Sequence, residues 1–437
     1  MSQPRMPRSF LLVWLAHLIS SLGSGLTAFA LGIWVYQRTG SAAAFTSIVL
    51  SAALPGVLLL PFAGAFVDRW DRRKVLIYTE LFSGLCIAAM IALMQLGVLQ
   101  VWQICMLSGI GACCGAFEWP ALTVASTILV PKEQRGQANG MIQLAQASAF
   151  ILSPLLAGFL LPIVTMGGLL FADAISYGIA VATLLFTPFP KVVACDVAAP
   201  ARSLLREMRD GWRYISSRPG LLGMTMLFAA LNFPLSVAQV LLTPLVLGFA
   251  GTAASGSVMA AYGVALVGGG IAVSVRGVPQ KRVQAILIVL AVQALALVVC
   301  GLHANAVLVG VAVFVMAAGI PLQTAANQEL WQQKVPVAIQ GRTFSVRRML
   351  GQLSVPVAYL CAGRWADQVF EPLLARHGAL AGTVGSVIGT GRGRGVALLV
   401  MLMGVVLLGI AAIAGLMPLF RSLETTIPDV AEQELAA

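Results

Sequence analysis

The sequence predicts an all-α membrane protein of twelve transmembrane helices in two six-helix halves, and three observations carry that prediction. The chain of 437 residues is 59% hydrophobic and only 10% charged, with a mean hydropathy of +0.92. A soluble domain carries roughly a quarter charged residues, so lipid must be part of this chain's solvent. Apolar runs of about 20 residues, the length that crosses a bilayer, recur from end to end. Lys and Arg collect in the gaps between those runs, mostly on one side.

The spans are placed in order. The first half gives Phe10–Tyr36, Ala42–Val67, Val75–Leu96, Val101–Leu129, Gln137–Leu161 and Met166–Pro188. The second half gives Leu221–Phe249, Ser255–Arg276, Val283–Leu302, Ala304–Gln332, Thr343–Ala366 and Val396–Phe420. Basic residues crowd the connections after the second, fourth, eighth and tenth spans (68–74, 132–135, 276–282 and 334–342), while the alternate connections are poor in them apart from Arg38, Arg376, Arg392 and Arg394. The basic side is the cytoplasm, and an even number of spans puts both termini there. Arg5 and Arg8 before an apolar run imitate a signal peptide, but Phe10–Tyr36 is far longer than a signal core of about 7–15 residues, so it reads as a retained helix.

The domains expected are an N-terminal bundle (1–188), a cytoplasmic linker (189–220), a C-terminal bundle (221–420) and a cytoplasmic tail (421–437). Within the linker, Leu204, Leu205, Met208, Trp212 and Ile215 share one helical face, and Arg202, Arg206, Arg209 and Arg213 the other. Such a helix ties the halves together and lies at the headgroup level. A weak repeat supports two halves: the segments 39–43 and 251–256 echo each other, and Asp68–Lys74 matches Arg276–Arg282 in position. Paired helical units are the usual plan of a secondary transporter, with its solute site between them.

Several function classes are excluded. The net charge of +11 sits in membrane-flanking loops, not on a nucleic-acid-binding face. The seven cysteines form no CxxC or Cys/His ligand spacing, so no metal and no disulfide framework is expected. There is no Walker A loop, GxSxG elbow or HExxH, and only His17, His303 and His377 occur, so neither nucleotide drive nor a membrane enzyme is supported. No cofactor is expected.

The most specific stretch runs Gly64-Ala-Phe-Val-Asp68-Arg69-Trp70-Asp71-Arg72-Arg73-Lys74. An acid followed by a basic cluster can pair with neighbouring helix ends in one conformation and release them in another. It resembles the major facilitator superfamily signature G-x-x-x-D-R-x-G-R-R/K. Gly64, Asp68, Arg69, Arg72 and Arg73 match, and Asp71 replaces the second glycine, a place where Asp also tolerates left-handed geometry. The resemblance implies the major facilitator fold, with these residues as a gating loop. Phe117–Ala121, Leu129–Glu133, Ala138–Met141, Phe171–Tyr177 and Gly341–Arg348 are similar to segments of macrolide-efflux-type members. Ser153-Pro154-Leu-Leu-Ala157-Gly158 resembles the antiporter motif G-P-x-x-G-G and implies export. The fourth-helix arginine and first-helix aspartate of better-known drug exporters are missing, so the resemblance does not carry their proton route over.

An ionisable group far from both interfaces is costly and is a functional candidate by default. Glu118 in the fourth span and Asp173 in the sixth qualify. A carboxyl shielded from water can load and release a proton near neutrality, which is what proton antiport requires; the plain alternative is a hydrogen-bonded packing carboxyl. Glu80 and Glu329, nearer the cytoplasmic ends, are expected to pair with Arg or Lys, and His17 to make an interhelical hydrogen bond. Trp34, Phe117, Gln143, Gln146, Asn232, Gln239, Gln323 and Asn327, with Phe233, are candidates for the cavity lining, since lipid offers polar groups no partners.

The function expected is export of an amphipathic organic solute (a drug, macrolide-like antibiotic, siderophore or peptide natural product) by proton antiport with alternating access. The alternative is a lipid or lysophospholipid flippase or importer of the same fold. The expected partners are solute, protons and membrane lipid, without nucleic acid, for a monomer in a cell (inner) membrane.

Overall fold

A computed structural model of the chain describes residues 6–131, 134–188 and 204–418, without the side chains at 57, 60–62, 64–65, 68–69, 124, 127–128, 204–207 and 337–338. The described residues are helical throughout, with no strand among them. Cα packing separates two compact units: Met1–Val197 with Gly251–Ala260, and Ala198–Ala250 with Ala261–Ala437.

The first unit holds α1 (Arg8–Thr39), α2 (Ala42–Arg69), α3 (Arg72–Gln95), α4 (Val101–Leu129) and α5 (Arg135–Phe186). Helix starts carry the expected chemistry. Ser41 caps α2 by accepting from Ala44 N–H, and Asp71 caps α3 by accepting from Arg73 and Lys74 N–H. Asp71 has φ −65° and ψ 111°, so it stands in the glycine position as a helix cap and not for left-handed geometry.

At 52 residues, α5 would run about 78 Å, more than twice the hydrocarbon thickness. Thr165 breaks it with φ 66° and ψ 167°, just after Pro162, so α5 is two spans folded back at the membrane edge. Those two spans coincide with the fifth and sixth read from the sequence.

The second unit opens with α6 (Leu204–Ser216) and continues through α7 (Pro219–Leu247), α8 (Thr252–Arg276), whose first turns belong to the first unit, and α9 (Arg282–Leu302). It ends with α10 (Ala306–Ala318), α11 (Ile320–Lys334), α12 (Val337–Gln352), α13 (Ser354–Trp365), the short α14 (Glu371–Leu373) and α15 (Val384–Ile388), and α16 (Arg394–Leu416). The tenth span is interrupted at Gly319, where Pro321 follows in the first turn of α11. The eleventh is interrupted at Leu353 and ends in a π turn over Ala366–Phe370.

Nine described helices, α5 counted once and α10–α11 together, are long and apolar enough to cross a membrane. With α5 as two spans the number rises, and α2 and α12–α13 occupy the places of the second and eleventh spans; twelve remains a reading of the sequence.

Packing follows the rule for helices in lipid, where small residues bring backbones together. A Cβ at Gly404 of α16 would lie 2.7 Å from Ala294 O of α9, so only glycine permits that approach. The linker helix α6 docks on α12: Ile215 is buried, Tyr214 donates its hydroxyl to Lys334 O at 3.1 Å, and Asp210 lies 3.9 Å from Arg342. Outward faces carry large apolar residues such as Ile163, Phe186, Val275 and Leu416, as lipid contact requires.

Candidate functional site

Each unit contains its own cavity, and the two differ in charge. In the first unit, α1 presents His17, Ser20, Ser21, Ser24 and Thr27. Residues three and four apart share a helix face, so these form one polar stripe in an otherwise apolar span. The stripe meets α3, α4 and the second span of α5 around a cavity of about 420 Å³ lined by Ser20, Ser24, Thr27, Glu118, Asp173 and Tyr177, among others.

Glu118 lies at the core of this arrangement. Its Oε1 is 2.8 Å from His17 Nδ1, and their side chains are only 24% and 11% exposed. Ser21 Oγ sits 3.3 Å from His17 Nε2, which ties the other ring nitrogen to α1 itself. Glu80 of α3 is buried at 4% exposure and accepts from Ser20 Oγ at 2.9 Å. Donor atoms of His17, Glu80 and Glu118 all lie within 4.8 Å of one another. Among the described residues this is the one His, Cys and carboxylate grouping compact enough to hold a metal ion. Its hydrogen bonds, however, leave the His17–Glu118 pair mutually satisfied.

The sequence reading of Glu80 is therefore corrected: it accepts from a serine hydroxyl in the cluster beside the cavity and pairs with no Lys or Arg among the described residues. It faces inward because Glu80 lies on the buried side of α3 with Leu76 and Ser83. Glu329 does pair with a cation, Arg282, at 2.6 Å.

Asp173 shares the cavity but not the cluster. It is 1% exposed, accepts from Ser176 Oγ at 3.3 Å, and its Oδ2 has no hydrogen-bond partner among the described residues. Nearby, Ser24 Oγ and Tyr177 Oη lie 2.9 Å apart. An exposed pair of charges would attract water here, whereas two carboxyls, an imidazole and hydroxyls walled by apolar helices can pass a proton among fixed partners.

The signature loop is only partly described: the side chains of Asp68 and Arg69 lie outside the described residues, as does the burial of Gly64, and Arg72 is half-buried at the start of α3. Arg73 donates from Nε to Leu184 O at 3.0 Å and from Nη2 to Leu185 O at 2.6 Å. It thereby satisfies carbonyls that the end of α5 would leave without partners.

In the antiporter-like stretch, Ser153 Oγ donates to Leu22 O of α1 at 3.1 Å. A Cβ on Gly158 would lie 2.7 Å from Thr252 O and 3.1 Å from Gly256 Cα, and Thr252 Oγ1 donates to Gly158 O at 3.0 Å. Pro154 O lies in the same contact, against Gly256. The motif is thus a backbone-to-backbone seam with the start of α8, within the first unit.

The second unit's cavity, about 600 Å³, gathers Asn232, Gln239, Gln323 and Asn327 from α7 and α11. Asn232 Nδ2 donates to Gly351 O at 2.7 Å, and Gln239 Nε2 to Tyr262 Oη at 3.1 Å. The two charged lining residues, Arg347 and Arg348, are not among the sequence candidates. They fall near the start of the eleventh span as read, Thr343–Ala366, and the available signal was two adjacent arginines inside a span, facing a run of amides on the tenth. The other lining candidates lie elsewhere. Trp34 carries Arg38 over its ring at 4.4 Å, Phe117 packs edge-on to Phe66 at 6.3 Å, and Phe233 packs edge-on to Trp365 at 6.0 Å. Gln143 and Gln146 are exposed on α5.

Comparison with known proteins agrees with this architecture. Macrolide efflux protein A of Streptococcus pyogenes is 25% identical over 371 residues, covering 82% of this chain and 90% of that protein. The enterobactin exporter EntS of Shigella flexneri is 29% identical over 255 residues, covering 53% of this chain and 58% of that protein. Among solved structures, the nucleoside transporter NupG superposes with a TM-score of 0.70 at 13% identity, over 93% of this chain and 99% of that one. A bacterial homologue of the lysosomal transporter Spinster, inward-facing and occupied, gives 0.68 at 13% identity, over 97% and 98%. At such identities the structures speak for the fold alone. The profile of the Major Facilitator Superfamily matches residues 13–359, and the chain belongs to that family of membrane transporters.

Proposed function

We propose that this transporter exports an amphipathic organic solute across the cell membrane in exchange for protons. Export is supported by relatives named for macrolide efflux and enterobactin export. The cavities of about 420 and 600 Å³ have room for an organic solute.

The observation that carries proton exchange is the His17–Glu118 hydrogen bond beside Glu80, at the edge of the first unit's cavity. Two carboxyls and an imidazole whose donor and acceptor atoms lie within 4.8 Å of one another, among apolar helices, give a transferred proton fixed partners. Opening the cavity to the outside loads that proton, and opening it to the cytoplasm, with solute exchange, releases it. Glu118 is the exchanging group, His17 its hydrogen-bond partner and Glu80 the second carboxyl of the cluster. Asp173 is a second carboxyl on the same path, and Asp68 with Arg72 forms a latch of the alternating-access cycle. The orientation is both termini in the cytoplasm, following the basic loops.

The test uses purified protein in liposomes enclosing a pH-sensitive dye, with an imposed proton gradient and a panel of lipophilic compounds. Compound-driven proton movement in the wild type, absent in Glu118→Gln, is the expected result. Compound transport that proceeds without proton movement, or undiminished proton movement in Glu118→Gln, would overturn the assignment.

A further inference from the structure

The cavity of the second unit carries positive charge without a matching acid. Arg347 and Arg348 line it from α12, and among its described lining residues none is Asp or Glu. The acid on the facing helix, Glu329 of α11, is engaged by Arg282 at 2.6 Å. The other polar lining is neutral: Asn232, Gln239, Gln323, Asn327 and Gln328.

Arg347 is held for use. Its guanidinium lies 5.0 Å from the ring centres of Trp331 and of Phe344, and Trp331 is fully buried. Cation–π stacking fixes the plane of the group without neutralising it. One end donates to Gln328 Oε1 at 2.6 Å, while Nη1 is buried and finds no acceptor among the described residues. A guanidinium with an idle donor, stacked in place beside a cavity, is arranged to meet a carboxylate or phosphate through paired hydrogen bonds. On α11, next to Gln328, Asn327 Oδ1 is likewise buried without a hydrogen-bond partner among the described residues, which offers a donor-bearing group such as a hydroxyl an acceptor at the same site.

We propose that the second unit's cavity is an oxyanion-binding site, with Arg347 as the anchoring residue and Arg348 as its neighbour. The transported solute carries an acidic group, and a lipophilic cation is disfavoured. This names the substrate class and rests on the transport reading above, but not on proton coupling at Glu118. The oxyanion has two chemical sources, an acidic organic solute or the phosphate of an anionic lipid, and one binding experiment separates them.

Full-length protein is placed in phosphatidylcholine nanodiscs and titrated with two fluorescent probes, pyrenebutanoate and a pyrene of equal chain length ending in trimethylammonium. Empty discs are subtracted from each titration. A lost charge-assisted contact amounts to about a tenfold change in affinity, so the carboxylate is expected to bind roughly tenfold tighter than the ammonium. That preference disappears in Arg347→Gln, is kept in part in Arg347→Lys, and is unaffected in the charge-matched control Arg38→Gln. Elution at the wild-type position on size exclusion shows that each variant is folded.

Equal or tighter binding of the ammonium, no binding of either probe, or a preference that survives Arg347→Gln with Arg348→Gln would overturn the proposal. Competition from discs containing phosphatidylglycerol assigns the oxyanion to a lipid headgroup, and absence of competition assigns it to a solute; both outcomes uphold the site. No gradient is imposed, so failure of proton antiport leaves this result intact, and failure here leaves the antiport test intact.

Discussion

His17 on α1 and Glu118 on α4, 101 residues apart in sequence, meet through a 2.8 Å hydrogen bond between Nδ1 and Oε1. The contact joins two apolar helices, where a charged group is costly. Truncating either residue to alanine leaves its partner without this hydrogen bond.

Removal of the imidazole tests the pair from the other side. His17→Ala is expected to lower solute-coupled proton flux by roughly tenfold, the equivalent of one charge-assisted hydrogen bond. His17→Asn, whose amide can still donate to Glu118, should retain more flux than His17→Ala. Equal fluxes in the wild type and His17→Ala would show that Glu118 works without this partner.

Ser20 and Glu80 form a second buried pair, and their cost is asymmetric. Ser20→Ala deprives a 4%-exposed carboxyl of its 2.9 Å donor, and a buried polar group left unmatched costs about 1–3 kcal/mol. Replacing both partners removes the unmet group, so Ser20→Ala with Glu80→Leu should be more stable than Ser20→Ala alone. Thermal unfolding in detergent, followed by intrinsic fluorescence, reads this cycle. Additive losses in the double variant would mean that the hydrogen bond contributes nothing to the fold.

These contacts also show which parts of the molecule sequence can disclose. The spans are legible because lipid imposes a length and a composition on each of them, and even the turn inside Arg135–Phe186 falls where two such lengths meet. Glu118 and Asp173 stand out for the same reason, as charges in apolar runs. Glu80 was misread because the basic cluster Arg72–Lys74 lies within two turns of it, and proximity along the chain supplied a partner that helix rotation removes. The side of α3 that Glu80 faces depends on packing, which no local pattern encodes. His17 could not be matched to Glu118 because nothing in sequence relates depth on one helix to depth on another. The stripe of serines on α1, by contrast, has helical spacing and is legible in the sequence; it points to the face that lines the cavity. Arg347 was not singled out: it lies within the first two turns of the eleventh span as read, Thr343–Ala366, where a basic residue close to an interface is ordinary.

Arg73 makes a prediction about the signature loop that does not depend on gating. Its two donations, to Leu184 O and Leu185 O, close the end of α5. Arg73→Ala should lower stability by about 1–2 kcal/mol, less than two fully buried charged hydrogen bonds because the group is partly exposed. Arg73→Lys should recover only part of that, because an ammonium cannot reach both carbonyls as a fork. Thermal unfolding of the three proteins gives the order wild type, Arg73→Lys, Arg73→Ala. Identical midpoints for Lys and Ala would leave the forked geometry without energetic weight.

Glu371, outside the spans on α14, makes the last prediction, and its sign follows from burial. Its carboxyl accepts from Gly393 N–H at 3.0 Å and from Val396 N–H at 3.2 Å, fixing the connection to the start of α16. Burial raises its pKa above the usual 4.5; the Val396 and Gly393 donors and Arg392 oppose that rise, and Asp367 adds to it. The folded protein therefore binds this proton more tightly than the unfolded chain does. The resulting stabilisation is complete below 4.5 and is lost as pH rises through the higher folded value. Glu371→Gln keeps an oxygen acceptor for both amides and abolishes the titration. On raising the pH from below 4.5, the unfolding midpoint of the wild type should fall relative to that of Glu371→Gln and then run parallel to it. If the two midpoints keep a constant separation across the whole range, Glu371 holds its proton no more tightly folded than unfolded, and burial is offset in full by the Gly393 and Val396 donors.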